Sequence, residues 1–200
     1  TYSFVFTVIL VLLSTISEIA KVLIIRTFGS QAEILYRVAS GASVFFLSCA
    51  YVSMYRYIFR KYLKNKQLHL LGKALLPGYI FAVVFFLLSF IGDIFIIFDG
   101  TTYTYSGLFI ITYLFQAIYM GMVIYILFIN RKKTMFSEIV IFVVYAIAEF
   151  TVIILSTIYP SMLIIHLPIS IFLVVIYLNI FNSENYVDEL TDSYTVEALL

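Results

Sequence analysis

Six long apolar stretches dominate the sequence and restrict its fold more than any other feature. A helix needs about 20 mostly apolar residues to cross a hydrocarbon core of roughly 30 Å, and each stretch meets that length. Spanning β-strands would instead alternate in polarity over about ten residues. We therefore predict an all-α, polytopic transmembrane bundle of about six helices. The predicted helices cover Tyr2–Ile25, Ile34–Phe59, Leu75–Phe98, Leu108–Ile129, Ile139–Ile158 and Met162–Phe181.

Composition excludes the common soluble classes. Hydrophobic residues make up 64% of the 200 residues and charged residues 12%, whereas soluble domains are about half apolar and a quarter charged. The single cysteine, Cys49, cannot form an internal disulfide. Residues 1–181 are predicted to form one transmembrane domain, and residues 182–200 a cytoplasmic connector that leads into the start of an output domain.

The distribution of basic residues predicts the orientation. The connection between the second and third helices and the segment Asn130–Lys133 carry most of the Lys and Arg, so both connections should be cytoplasmic. With six helices, both chain ends are then also cytoplasmic. Basic residues beside a membrane span indicate contact with lipid headgroups, and we expect no nucleic acid partner. The basic residues at the end of the second helix and in the connection to the third are Arg56, Arg60, Lys61, Lys64, Lys66 and Lys73.

Polar side chains inside the predicted spans are the candidate ligand-binding residues. Ionisable groups at membrane depth are costly, and each is therefore a functional hypothesis that needs a partner. Five predicted helices each place one polar residue at the middle or in the outer half of the membrane, which would form a pocket open to the outside. Glu149 lies nearest to the midplane, so its carboxyl group should be paired or protonated. The five residues are Glu18, Asp93, Gln116, Glu149 and His166.

A structural interpretation of the same residues stays open. Glu18 could pair with Lys21 one turn further along the helix. Asp93 and His166 could lie at the membrane interface. Glu149 could form a hydrogen bond to a neighbouring helix.

Catalytic and metal-binding motifs are absent from the 200 residues. Neither a phosphate-binding glycine loop nor H-E-x-x-H, C-x-x-C or G-x-S-x-G occurs. One cysteine and two histidines cannot form a usual structural zinc site. We therefore expect no catalytic residues, no metal site and no bound cofactor within this sequence.

The segment after the last predicted helix has its own pattern. It reads as a charged helical continuation, a Thr-Asp turn and a new apolar run, and it contains five acidic residues and no basic ones. Asp188, Leu190 and Thr191 match the start of the D-x-L-T-G-L-x-N-R segment that commonly opens a GGDEF domain. The tail therefore resembles the entrance to a GGDEF-type diguanylate cyclase, although Asp192 and Ser193 differ from that pattern. A degenerate cyclase domain or another output stays open.

The resemblance implies a membrane input region of a bacterial signalling protein in the cytoplasmic (inner) membrane. An extracellular or membrane ligand would alter the helix packing, and the last helix would pass the change to an output domain, one that would make cyclic-di-GMP if it is a GGDEF domain. The resemblance also implies a homodimer formed through the output domain. The alternative is a small six-helix transporter or substrate-capture subunit that uses the same polar residues for uptake.

Overall fold

The structure, a computed structural model, describes residues 2–28, 33–63, 72–91, 94–98, 103–132, 134, 136–158, 171–172, 175, 187–188 and 193–194. Within these residues the chain is mostly helical. Four of the five long helices are long and apolar enough to cross a bilayer, and the third is shorter. The helices are α1 (Tyr2–Phe28), α2 (Glu33–Tyr62), α3 (Leu75–Leu88), α4 (Ile110–Ile129) and α5 (Phe136–Ile158).

Helix α2 is the central element of the bundle. It is buried over most of its length, whereas many apolar side chains of α1 and α5 are exposed, as expected of helices that face lipid. The Ser14 hydroxyl of α1 donates a 2.8 Å hydrogen bond to the carbonyl oxygen of Ser43 on α2. A Cβ atom on Gly41 would collide with Ser89, just beyond α3. Small residues therefore bring both neighbours close to α2.

The predicted third span, Leu75–Phe98, is wrong in length. Helix α3 ends at Leu88 after 14 residues, a rise of about 21 Å, which is less than the hydrocarbon thickness. Its end is a tightened turn, in which the backbone N–H groups of Phe90 and Ile91 bond carbonyls three residues earlier. The Ser89 hydroxyl donates to the Phe86 carbonyl oxygen at 2.6 Å and competes with further helix formation.

A β-hairpin follows α3, and its first strand occupies residues that the sequence predicted to be helical. Strand β1 (Ile96–Phe98) pairs antiparallel with β2 (Tyr103–Tyr105), with Ile96 opposite Tyr105. The sequence contains two signals for this hairpin, the β-branched pair Ile96-Ile97 and the dipeptide Asp99-Gly100 between the strands. The continuous apolar run that contains Ile96 and Ile97 favoured a helix in the prediction, so neither signal was used.

The hairpin is anchored to α2 and to the 3₁₀ turn (Gly107–Phe109) that precedes α4. The Arg37 Nη1 group donates to the Ile96 carbonyl oxygen at 3.1 Å. The backbone N–H of Ser106 donates to the Phe95 carbonyl oxygen at 2.9 Å, and its hydroxyl donates to the Ile94 carbonyl oxygen. Backbone polar groups near a bilayer need internal partners, and these bonds supply several of them.

Two apolar clusters fill the space between the helices. The larger surrounds α2, and in it Tyr55 packs edge-on against Tyr119 of α4, with ring centroids 5.7 Å apart. The smaller lies beneath the hairpin, where the Phe85 and Phe95 centroids are 4.2 Å apart. The second cluster joins the end of α3 to the hairpin and so fixes the position of the shortened helix.

Six of the nine described basic residues gather at one end of the bundle. Lys61, near the end of α2, bonds Glu138, near the start of α5, with an Nζ–Oε1 distance of 2.7 Å. Tyr62 lies beside Thr134, in the connection between α4 and α5. We call this end the basic end, and the hairpin beside Arg37 lies at the opposite end. The described basic residues of the two connections predicted to be cytoplasmic are Arg56, Arg60, Lys61, Lys73, Arg131 and Lys132.

The predicted sixth helix, Met162–Phe181, lies almost entirely outside the described residues. Three of its residues are described, and each is helical: Ile171, Phe172 and Val175. In the tail, Val187–Asp188 (β3) pairs antiparallel with Ser193–Tyr194 (β4). The predicted helical continuation therefore does not include Val187 or Asp188.

Candidate functional site

Three of the five predicted ligand-binding residues fall within the described part of the chain. Glu18 lies on α1, Gln116 on α4 and Glu149 on α5. Asp93 and His166 lie outside the described residues. The structure therefore places three of these residues and leaves the predicted contribution of the other two untested.

Glu149 is held by a chain of hydroxyl groups that crosses from α5 to α2. The Tyr51 hydroxyl of α2 donates to Glu149 Oε1, and it also lies 2.6 Å from the Tyr145 hydroxyl. A phenol has one proton to donate. Since Tyr51 gives its proton to Glu149, Tyr145 must donate to the Tyr51 oxygen. The chain therefore runs from Tyr145 through Tyr51 to the carboxylate.

Helix periodicity and aromatic packing position this tyrosine–glutamate chain. Tyr145 and Glu149 are four residues apart and so share one face of α5. The Phe172 ring stacks on Tyr145, with centroids 3.7 Å apart and planes 14° apart, and Phe142 meets Phe172 edge-on at 5.2 Å. Tyr51 and Tyr145 are only 2% and 3% exposed, so both hydroxyls are shielded from lipid and water.

Glu149 differs from the other acidic residues of helices α1–α5. Glu18 forms an ion pair with Lys21, Glu33 with Arg37, and Glu138 with Lys61. Among the residues that the structure describes, Glu149 has hydroxyl neighbours and no ion pair. Its carboxyl group can accept a hydrogen bond when ionised and donate one when protonated, and the tyrosines can reverse their bonds to match either state.

Glu18 belongs to a separate cluster between α1 and α2. It pairs with Lys21, and its Oε2 atom accepts a hydrogen bond of 3.0 Å from the Ser43 hydroxyl. The structural interpretation of Glu18, an ion pair with Lys21, is confirmed. Along α2, Ser43 lies eight residues before Tyr51, a rise of about 12 Å. The two carboxyl groups therefore contact different parts of α2.

Gln116 is buried in α4 and is 4% exposed. In the described part of the chain, no hydrogen bond joins it to Glu18 or Glu149. The described residues thus form separate polar contacts along the bundle. A single pocket that joins all five predicted residues remains a prediction.

A second tyrosine–glutamate contact lies at the basic end of the same helix pair. Tyr62 of α2 donates its hydroxyl proton to Glu138 Oε2, while Lys61 binds Glu138 Oε1. This contact was not predicted, because Glu138 lies at the start of a helix and Lys61 was interpreted as an orientation signal. One signal for this contact was available in the sequence. Glu138 lies in the first turn of α5 and Lys61 in the last turn of α2, so the two can attract each other where the helix ends meet.

The tyrosines were also missed. A tyrosine in an apolar stretch more often fills the core, and its sequence position does not show whether the hydroxyl has a polar partner. The spacing of Tyr145 and Glu149 was a usable signal on α5. Tyr51 had none, because its contact with Glu149 depends on how α2 and α5 are placed in space.

Metal chemistry has no support within the described residues. No group of three or more His, Cys, Asp or Glu side chains there could hold a metal ion. Cys49 is buried and unpaired with another cysteine. The contacts at Glu149 and Glu138 are hydrogen bonds from tyrosine hydroxyls.

Comparison with known proteins adds no relative. No protein-family model, no curated protein and no solved structure matches the chain. The functional argument therefore rests on the contacts between the helices and on the pattern of the sequence.

Proposed function

We propose that this chain is the membrane-embedded input region of a bacterial signalling protein, and that Glu149 is the group at which the signal acts. The observation that carries the proposal is the buried hydrogen-bond chain between Glu149 of α5 and Tyr51 of α2. A carboxyl group within a span can gain or lose a proton or a ligand contact, and its hydrogen bond to Tyr51 changes with it. Such a change acts directly on the α2–α5 pair.

The two tyrosine–glutamate contacts connect the membrane interior to the basic end. Tyr51 and Tyr62 are eleven residues apart on α2, and Glu149 and Glu138 are eleven residues apart on α5. Eleven residues make about three turns, a rise of about 16 Å, and return to the same helix face. Both contacts thus lie on one stripe between antiparallel helices, which gives a physical route from Glu149 to the basic end.

Helix α5 is attached to α2 mainly through long side chains. Within the described residues the two backbones do not pack closely along their length, in contrast to α1 and α2. Its outer side is exposed, including Val144, Ile147 and Phe150. A helix whose contacts with α2 are made by side chains needs less energy to shift against α2 than one packed backbone to backbone, which favours α5 as the moving element.

The basic end is the cytoplasmic end in this proposal. Positive residues are retained on the cytoplasmic side of bacterial membranes, and six of the nine described ones gather at the basic end. The acidic tail would emerge at the same side and lead into an output domain. Its resemblance to the opening of a GGDEF domain favours cyclic-di-GMP synthesis by a homodimer of that domain. The signal would be a small ligand from the outer side or from the membrane.

The test is the cyclic-di-GMP content of bacteria that produce the native gene product with single substitutions. Glu149→Gln keeps the shape of the side chain but removes its ionisation, and Tyr51→Phe removes the bond that joins it to α2. We expect each to change the output by about fivefold or more, the usual range of coupling between sites. Tyr125→Phe, at an exposed tyrosine of α4, is the matched control and should leave the output unchanged.

Membrane insertion must be measured in the same cells, by the amount of protein in the washed membrane fraction. An unchanged output in Glu149→Gln and Tyr51→Phe at normal insertion would contradict the proposal. A native gene product without any signalling domain would also contradict it.

Transport is the second candidate, because a buried carboxyl group within a span is also the feature on which proton-coupled uptake depends. Substrate accumulation in vesicles that contain the purified protein, lost in Glu149→Gln, would favour transport over signalling. Proton uptake in the absence of any substrate would not favour transport over signalling.

A further inference from the structure

A buried hydroxyl group without a partner marks a second site, away from Glu149. Tyr79 lies on α3, and its hydroxyl oxygen is buried with no hydrogen-bond partner among the described residues. A buried hydroxyl whose proton has no acceptor is destabilising. A ligand that accepts its proton would recover that cost. The identity of the ligand follows from the groups around the hydroxyl.

The Tyr79 hydroxyl faces a cationic side chain of α2. Arg56 and the buried Ser53 lie beside the hydroxyl as hydrogen-bond donors toward its oxygen, and Arg56 also acts on it as a charge, whereas the hydroxyl proton meets no acceptor among the described residues. Arg56 is half-buried, and it forms no ion pair with the carboxylates that the structure describes. A guanidinium beside a hydroxyl donor offers several N–H groups and one O–H group to the same anion, which is the geometry that phosphate prefers.

Helix packing explains why these two side chains meet. A Cβ atom on Gly78 would lie 2.7 Å from Val52, so α3 approaches α2 closely at this level. Arg56 is one turn further along the same face of α2, toward the basic end. Side chains of a helix point back toward its N-terminus, so Tyr79 also reaches toward the basic end. Both groups therefore converge from neighbouring helices.

The site lies within two turns of the basic end of α2. From Arg56 to the end of α2 at Tyr62 the rise is about 9 Å. Arg60, one turn beyond Arg56 on the same face, is exposed, and so is Lys73, just before α3. A long, half-exposed arginine can bury its stem and move its charged head to the interface. Arg56, Arg60 and Lys73 thus lie in neighbouring turns at the basic ends of α2 and α3, where an anionic headgroup can approach them.

We propose that Arg56 and Tyr79 bind the phosphate group of an anionic membrane lipid between α2 and α3, at the basic end. Arg56 supplies the charge and two parallel N–H donors, and Tyr79 supplies a hydroxyl proton that meets no acceptor in the absence of the lipid. Arg60 and Lys73 hold the headgroup from the exposed side. The site is independent of Glu149, so it stands or fails separately from the proposed signalling function.

The test is a titration of the purified protein in detergent with phosphatidylglycerol, read by native mass spectrometry. We expect Arg56→Gln to weaken binding by about tenfold, the usual effect of losing hydrogen bonds to a charged group. Arg56→Lys keeps the charge but not the paired donors and should recover only part of the affinity. Tyr79→Phe should weaken binding by about fivefold, the effect of one hydrogen bond.

Arg131→Gln is the matched control, because Arg131 is an exposed cation at the same end in a different connection. It should change binding by less than about twofold. Equal losses in Arg56→Gln and Arg131→Gln would show that only total charge matters and would overturn the proposal. So would a wild-type affinity in Tyr79→Phe, or equal binding of phosphatidylcholine.

Inorganic phosphate distinguishes the two sources of the same chemistry. If 10 mM phosphate, on the order of a cellular concentration, displaces phosphatidylglycerol from the wild-type protein, the site takes soluble phosphate and the lipid assignment is wrong. Retention of the lipid under these conditions supports the proposal. Circular dichroism of each variant confirms that the helices remain folded.

Discussion

Each acidic side chain within helices α1–α5 has a specific neighbour that lowers its cost. Three of these residues pair with a cation, whereas Glu149 accepts a hydrogen bond from a tyrosine hydroxyl. An ion pair removes a charge from the membrane interior permanently, whereas a hydroxyl leaves the carboxyl free to change its protonation. The residue with the weakest compensation is therefore the one best suited to respond.

Substitutions of two glycines test how closely α2, α3 and α4 pack. In Gly78→Ala the new Cβ atom would collide with the Tyr119 hydroxyl and lie 2.7 Å from Val52, so we expect a loss of about 1–3 kcal/mol of unfolding free energy. Gly121→Ala is the matched control: nothing lies within 4 Å of its Cβ position, so it should be neutral or stabilise the helix by up to about 1 kcal/mol.

The measurement is SDS-induced unfolding followed by far-ultraviolet circular dichroism, since the chain contains no tryptophan. Equal stabilities of the two glycine variants would show that α2, α3 and α4 do not pack as described.

Local spacing made some residue contacts predictable and left others unpredictable. The pairing of Glu18 with Lys21 followed from their separation of three residues on one helix. The bond from Tyr51 to Glu149 joins residues 98 positions apart and depends on the arrangement of two helices. Sequence alone identified Glu149 as costly but could not name the group that stabilises it.

At the level of whole elements, the sequence predicted the existence of helices better than their ends. Four long helices agree with predicted spans to within a few residues, because continuous apolar runs of that length have few alternatives. The length predicted for the third span was wrong because hydropathy does not distinguish an apolar helix from an apolar strand. At Ile96 the β-branched residues and the local turn outweighed the apolar run.

The Arg37 contact should hold the hairpin to α2. Arg37→Gln removes its bond to the Ile96 carbonyl oxygen, and we expect the amides of Ile96–Phe98 and Tyr103–Tyr105 to exchange hydrogen about tenfold faster. Hydrogen exchange with mass spectrometry of the protein in detergent measures this directly.

Arg26→Gln, at an exposed arginine in the last turn of α1, is the control and should leave exchange in the hairpin unchanged. Unchanged protection of the hairpin in Arg37→Gln would mean that its own pairing and Ser106 are sufficient to hold it.

On the scale of the whole molecule, one polar helix lies at the centre of apolar ones. Helix α2 carries most of the buried serines and tyrosines, and its neighbours present their apolar sides outward. In a bilayer the polar side chains gain partners only by turning inward, so this arrangement is the expected one. The predicted orientation then depends on which end faces the cytoplasm.

Cysteine labelling tests that orientation. In a Cys49→Ser background, which removes the single native cysteine, we expect Thr104→Cys on the hairpin to react with a membrane-impermeant maleimide in intact bacteria. Lys132→Cys, at the basic end, should react only after the membrane is permeabilised. The reverse pattern would place the basic end outside and contradict the orientation proposed for the signal.

The equal spacing of the two tyrosine–glutamate contacts determines which movements α5 can make. A translation of α5 along the axis of α2 would break the contacts of Glu149 and Glu138 together, because the two contacts are eleven residues apart on both helices. A tilt about Glu138, like a lever on a fixed pivot, would break only the contact of Glu149. Because Lys61 also holds Glu138, a tilt breaks fewer contacts than a translation and needs less energy. The start of α5 would then rotate at the basic end and would not shift along α2.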